Sequence, residues 1–148
     1  MKYTDKKYFY FDKKKWNITW YSNNWPKSVI IPSKIDWITV KKIWDFAFKN
    51  NNLTNVNIPN SVIKIWTGAF ENNNLISVNI PNSVTKICNS AFQNNKLTSV
   101  IIPKFITEIW DNAFAGNILI SVNLNWLKWF NQKQKNDIFD KNILNKIK

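Results

Sequence analysis

The dipeptide Ala-Phe returns at Ala47-Phe48, Ala69-Phe70, Ala91-Phe92 and Ala113-Phe114, a constant interval of 22 residues. An interval of that size marks a chain that winds in equivalent coils, so each pair must meet the same surroundings. The same register carries Leu53, Leu75, Leu97 and Leu119, then Val56, Val78, Val100 and Val122, then Ile58, Ile80, Ile102 and Leu124. Pro59, Pro81 and Pro103 follow, with Trp37 in the earlier slot, and Ile43, Ile65, Ile87 and Ile109 complete the apolar set beside Val40, Val62, Val84 and Ile106. One coil cannot enclose so many apolar side chains, whereas stacked coils shield each other's faces.

Within a unit, Leu75-Ile76-Ser77-Val78-Asn79-Ile80 has the spacing that turns Val78 and Ile80 to one side of a short strand and Ser77 and Asn79 to the other. Pro81 lacks an N–H and ends the ladder. From Val84 to Phe92 the apolar spacing changes to three and four, which predicts a turn of helix or 3-10 helix. Asn51, Asn73, Asn95 and Asn117 stand at the bend before each strand, where asparagine tolerates left-handed backbone better than most residues. The expected architecture is an α/β repeat solenoid, with short parallel strands on one face and short helical or 3-10 turns on the other.

Residues 37–124 then form four repeats, and 1–36 form an N-terminal cap with a degenerate first repeat. In that cap, Tyr21 to Pro32 match the end of a unit but lie five residues out of register with Trp37, which implies an insertion around Ser33 to Asp36. Upstream, Lys7 to Phe11 and Trp16 to Trp20 read as strands about the polar turn Asp12 to Lys15, a capping β-hairpin. In 125–148, Phe139, Ile143 and Ile147 recur at helical spacing beside Leu144, so a C-terminal helical cap is expected, with membrane or partner-helix binding as the other use of such a face.

The unit Ile80-Pro81-Asn82-Ser83-Val84-Thr85-Lys86-Ile87-Cys88-Asn89-Ser90-Ala91-Phe92 closely resembles BspA-like leucine-rich repeats, bacterial surface-antigen type repeats. The resemblance covers residues 37 to 124 and implies a solenoid that binds proteins, often as a bacterial adhesin. Two features depart from the family: the chain as written starts without an export signal, and Trp44, Trp66, Cys88 and Trp110 occupy a slot where the family usually has glycine. A cytoplasmic location is the expectation from the first, with the cell surface or secretion as the alternative if the chain is a fragment or uses another export route.

Chemistry is scarce. There is no histidine to act as a general base, Cys88 is the single cysteine, and the nine acidic residues form no paired motif. Neither a catalytic residue, a metal site nor a small-molecule cofactor is expected, and Cys88 reads as packing in the tryptophan slot. Binding is the remaining class of function, with an unidentified protein as partner. All 21 basic residues are lysine and the net charge is +12, so an anionic surface or nucleic acid is the alternative partner.

Three columns are candidate surfaces. The outward strand positions Asn55, Asn57, Ser77, Asn79, Ser99, Ile101, Ser121 and Asn123 form a polar, nearly uncharged face, suited to a protein or glycan or simply to water. Lys42, Lys64 and Lys86 form a ladder broken by Glu108, either a track for an anion or three solvated lysines. Trp44, Trp66 and Trp110 are either an exposed hot spot or rings buried between coils. Solution behaviour should be monomeric, or weakly self-associated end to end through coil ends.

Overall fold

The computed structural model describes residues 4–22, 26–123, 135 and 137–139. Each coil contributes to two ladders. On one side, strands Lys42–Ile43, Lys64–Ile65, Lys86–Ile87 and Glu108–Ile109 pair in parallel, with Ile43, Ile65, Ile87 and Ile109 in register and buried. Strand Asn17–Tyr21 adds to Lys42–Ile43 in parallel and pairs antiparallel with Phe9–Asp12, which closes a six-stranded sheet with the expected N-terminal hairpin. On the other side, Ser28–Ile30 pairs with Asn55–Asn57, Asn57 bridges Asn79, and Ser99–Ile101 pairs with Ser121–Asn123. Alternation does the rest: Val56, Val78, Val100 and Val122 turn inward and their neighbours outward.

The helical half of the expectation is overturned. Where the spacing predicts a turn of helix from Val84 to Phe92, the chain runs as strand Lys86–Ile87 and then a hydrogen-bonded turn, and the other coils do the same. The cause is backbone handedness. Phe46, Gly68, Ser90 and Asn112 are left-handed once per coil, and Asn50, Asn72, Asn94 and Gly116 again four residues later. A right-handed helix cannot run through such residues. The N–H groups between them reach the next coil instead: Phe48 donates to Ala69 O, Phe70 to Ala91 O and Phe92 to Ala113 O, each at 2.8 Å. The architecture is a β-solenoid, not α/β. The 3-10 turn Lys6–Tyr8 precedes the first strand.

This geometry stacks the phenylalanines. Ring centroids from Phe48 to Phe70, Phe92 and Phe114 are 5.0, 5.3 and 5.4 Å apart, with planes within 18° of parallel, and all four rings are fully buried. Tyr21 covers the first ring at 5.1 Å and Phe139 the last at 5.5 Å. The cap expected over 125–148 lies largely outside the described residues. Within it Ile138 and Phe139 are buried and Ile138 O accepts from Phe114 N–H at 3.1 Å. Among the described residues there, Lys135, Asp137 and Ile138 have helical backbone, which does not by itself support a helical cap.

Burial pushes the Tyr21 phenol up from 10.0 to about 12, with Tyr8 adding to the shift. The folded protein therefore holds this proton more tightly than the unfolded chain does. The resulting stability is complete below pH 10 and lost as pH rises toward 12. Chemical denaturation across that window should show a steeper loss for the native chain than for Tyr21→Phe.

The bend asparagines act differently from expectation. Asn73, Asn95 and Asn117 are not left-handed themselves; each is buried as a bracket between coils. Asn95 Oδ1 accepts from Leu75 N–H at 3.1 Å, and its Nδ2 donates to Phe70 O at 2.9 Å and Phe92 O at 3.1 Å. Asn73 and Asn117 repeat the pattern with Leu53 and Leu97. Asn51 departs from it. Its Oδ1 is buried without a partner among the described residues. The register of Ser28 on Asn55 sets the donor slot opposite Leu53 at Pro26, and proline has no N–H to give.

That register also makes the first coil 27 residues long, five more than the others. The extra length forms a small antiparallel hairpin, Lys34–Ile35 with Ile38–Thr39. At its tip Asp36 and Trp37 both have positive φ, 48° and 67°, as a two-residue type I′ turn requires.

Candidate binding surfaces

The three columns divide between two sides of the solenoid. Asn55, Asn57, Ser77, Asn79, Ser99, Ile101 and Ser121 all lie exposed on one side, and Asn123 continues the row in backbone register with Ile101. A shallow, open groove of about 370 Å³ follows this row past Ser28, Asn55, Asn57, Ser77 and Asn79. A second of about 380 Å³ lies beside it around Pro59, Asn60 and Asn79. Three isoleucines, Ile76, Ile101 and Ile120, are also exposed in this strand region. The surface is thus uncharged, amide- and hydroxyl-rich, and dotted with apolar side chains.

Lys42, Lys64 and Lys86 stand in register on the six-stranded sheet with Glu108 after them. The ladder carries less free charge than its spacing suggests, because Lys86 forms an ion pair with Glu108. Hydrogen bonds from Lys86 and then from the Trp110 indole hold the Glu108 carboxyl below its usual range. The tryptophan column runs beside the lysines. Trp44 and Trp66 are half-buried with centroids 4.8 Å apart, and Lys64 Nζ lies 5.5 Å over the Trp66 ring, a cation–π distance. Cys88 has no ring to continue the stack, so Trp110 sits apart, exposed, with Nε1 donating to Glu108 at 3.1 Å.

Cys88 is buried, and burial foremost, then Asp45, pushes its thiol pKa up, away from the reactive thiolate. Thiol-specific reagents should label it slowly in the native protein and rapidly in denaturant; equal rates would contradict its packing role. Among the described residues no three His, Cys, Asp or Glu side chains converge to hold a metal, and no helix is long and apolar enough to cross a membrane.

One exposed cluster escaped the sequence reading. Trp16 and Trp37 occupy the tips of the two N-terminal hairpins, next to Lys13, Lys14 and Lys15. The repeat register puts Trp37 in a proline slot, and the signal for its exposure is the five-residue offset that ejects it from the coil.

A family model described as the BspA type leucine-rich repeat region matches residues 20–145 in six copies. The chain belongs to the BspA-type leucine-rich repeat family. Among solved structures it is similar to a leucine-rich repeat protein of T. pallidum, at 22% identity and a TM-score of 0.62 over 82% of this chain and 71% of that one. It is also similar to a leucine-rich repeat protein of Bacteroides ovatus, at 33% identity and a TM-score of 0.56 over 66% of this chain. It spans a quarter, 25%, of the Bacteroides protein's length. No curated protein matches it significantly.

Proposed function

We propose that this chain is a non-catalytic protein-binding scaffold, adhesin-like in its mode of contact, that engages its partner with the strand face running from Asn55 to Ser121. The observation that carries this is the character of that face. Uncharged side chains repeat along it, exposed isoleucines interrupt them, and open grooves cross it. Exposed apolar positions within a polar, uncharged field suit a protein partner, which fills shallow relief that a small molecule cannot.

A photo-crosslinking residue placed at Asn79 or at Ile101, with one at Lys64 as comparison, tests the reading in the source cells. The same defined partner should be trapped from Asn79 and Ile101, and lysine at Ser77 and Ser99 should abolish both adducts. Adducts from Lys64 alone would move the interface to the opposite side. A second reading, an electrostatic binder of nucleic acid or anionic lipid, draws on the net charge of +12. It predicts binding that falls steeply with salt.

A further inference from the structure

The basic charge is unevenly placed. Residues 4–49 hold ten lysines against four acids, whereas residues 50–123 hold four lysines against three acids. Residues 124–148 hold six lysines against two acids, so the middle of the chain is close to neutral and the larger share of the excess lies in its N-terminal third.

Two turn tips meet there. One closes the hairpin between Phe9–Asp12 and Asn17–Tyr21 and runs Lys13-Lys14-Lys15-Trp16. The other is Asp36-Trp37. Lys13 Nζ reaches Asp36 Oδ2 at 3.1 Å and Lys6 Nζ reaches Asp36 Oδ1 at 2.6 Å, so the tips are held side by side. A groove of about 250 Å³ is lined by Trp16 from the first tip and by Ile38, Thr39 and Lys41 from the second hairpin and its continuation. Lys41 Nζ lies 4.8 Å over the Trp16 ring.

Both tryptophans stand on left-handed backbone, at φ 56° and 67°. Elsewhere this chain mostly uses asparagine or glycine for such positions, as turn chemistry favours, with Phe46 and Ser90 the other exceptions. Trp37 is 93% exposed and Trp16 47%. The Trp37 ring, held in open solvent on backbone that disfavours it, contributes little to folding, and an outlier of that kind points to a binding role.

We propose that the paired tips are a docking site for an anionic lipid surface. Trp16 and Trp37 enter the headgroup boundary, where an amphipathic ring is favoured, and Lys14, Lys15, Lys34 and Lys41 attract the phosphates. A ring as exposed as Trp37 favours insertion into lipid over single-stranded nucleic acid, which takes a groove with rings stacked in series. Among the described residues Trp37 projects with no ring beside it, and the chain has no arginine to fork a phosphate. This site is separate from the strand face and does not depend on it.

Co-sedimentation of the full chain with vesicles of phosphatidylcholine and phosphatidylserine, against phosphatidylcholine alone and against immobilised oligo-dT, tests the proposal. The chain should partition at least about tenfold more strongly onto the anionic vesicles at low salt. The Trp16→Asn/Trp37→Asn variant should lose about tenfold of that partition, with a melting temperature equal to or above that of the native chain. Lys14→Glu/Lys15→Glu should also weaken it. Equal binding to neutral vesicles, full binding by the tryptophan variant, or a lowered melting temperature in that variant would overturn the proposal. A preference for oligo-dT that the same substitutions abolish would assign the tips to nucleic acid instead.

Discussion

Phe92→Ala should destabilise the protein by about 3 to 5 kcal/mol, the range for deleting a buried phenylalanine whose surroundings cannot collapse. Phe92 is fully buried between Phe70 and Phe114, and its own N–H donates to the following coil. The backbone ladders on either side hold the coils at their spacing, so the vacated volume has little freedom to close. Equilibrium urea unfolding measures the effect. A change below about 1 kcal/mol would mean that the ring is not packed as described.

The second large effect comes from a polar residue. Asn95→Leu keeps the branched shape and heavy-atom count but removes the Asn95 bracket, leaving Leu75 N–H buried without an acceptor and taking one of two amide donors from each of Phe70 O and Phe92 O. An orphaned buried N–H costs about 1 to 3 kcal/mol and each lost bond about 1 more, which sums to roughly 3 kcal/mol after the gain from an apolar side chain. Asn51→Leu supplies the contrast. Among the described residues its Oδ1 has no partner to lose and its Nδ2 reaches only Lys49 O, at 3.0 Å, so the change should stay within about 1 kcal/mol of the native chain. Equal costs for the two substitutions would refute the bracket.

The contrast between these asparagines shows what was legible in the sequence. The 22-residue register made the stacking of Ala-Phe pairs readable, because only equivalent coils satisfy equivalent apolar positions. It did not distinguish a helical turn from a strand and bend. Ile87, Ala91 and Phe92 point inward in either case, and the deciding feature, left-handed backbone at Ser90 and Asn94, depends on inter-coil hydrogen bonds rather than on local preference. Asparagine was read as a turn former, yet the buried column serves as an amide bracket one position after the left-handed residue. Side-chain identity cannot separate those roles when Asn-Asn pairs occupy both slots.

The candidate surfaces were legible to different depths. Alternation about Val78 and Val100 placed Ser77, Asn79 and Ser99 outward, since one side of a strand must face the core. The lysine ladder was visible as spacing, but its pairing with Glu108 and its contact with the tryptophans came from the lateral approach of neighbouring columns. The N-terminal tips were hidden for another reason. Their adjacency is made by Lys13 and Asp36, which lie on separate hairpins and announce nothing by their spacing.

Ring-to-ring nuclear Overhauser contacts in a sample labelled only at phenylalanine test the solenoid most directly. Cross-peaks should link Phe48 to Phe70, Phe70 to Phe92 and Phe92 to Phe114, whose centroids are 5.0 to 5.4 Å apart, and none should link Phe48 to Phe92. Absence of those three sequential contacts would contradict the stacked coils.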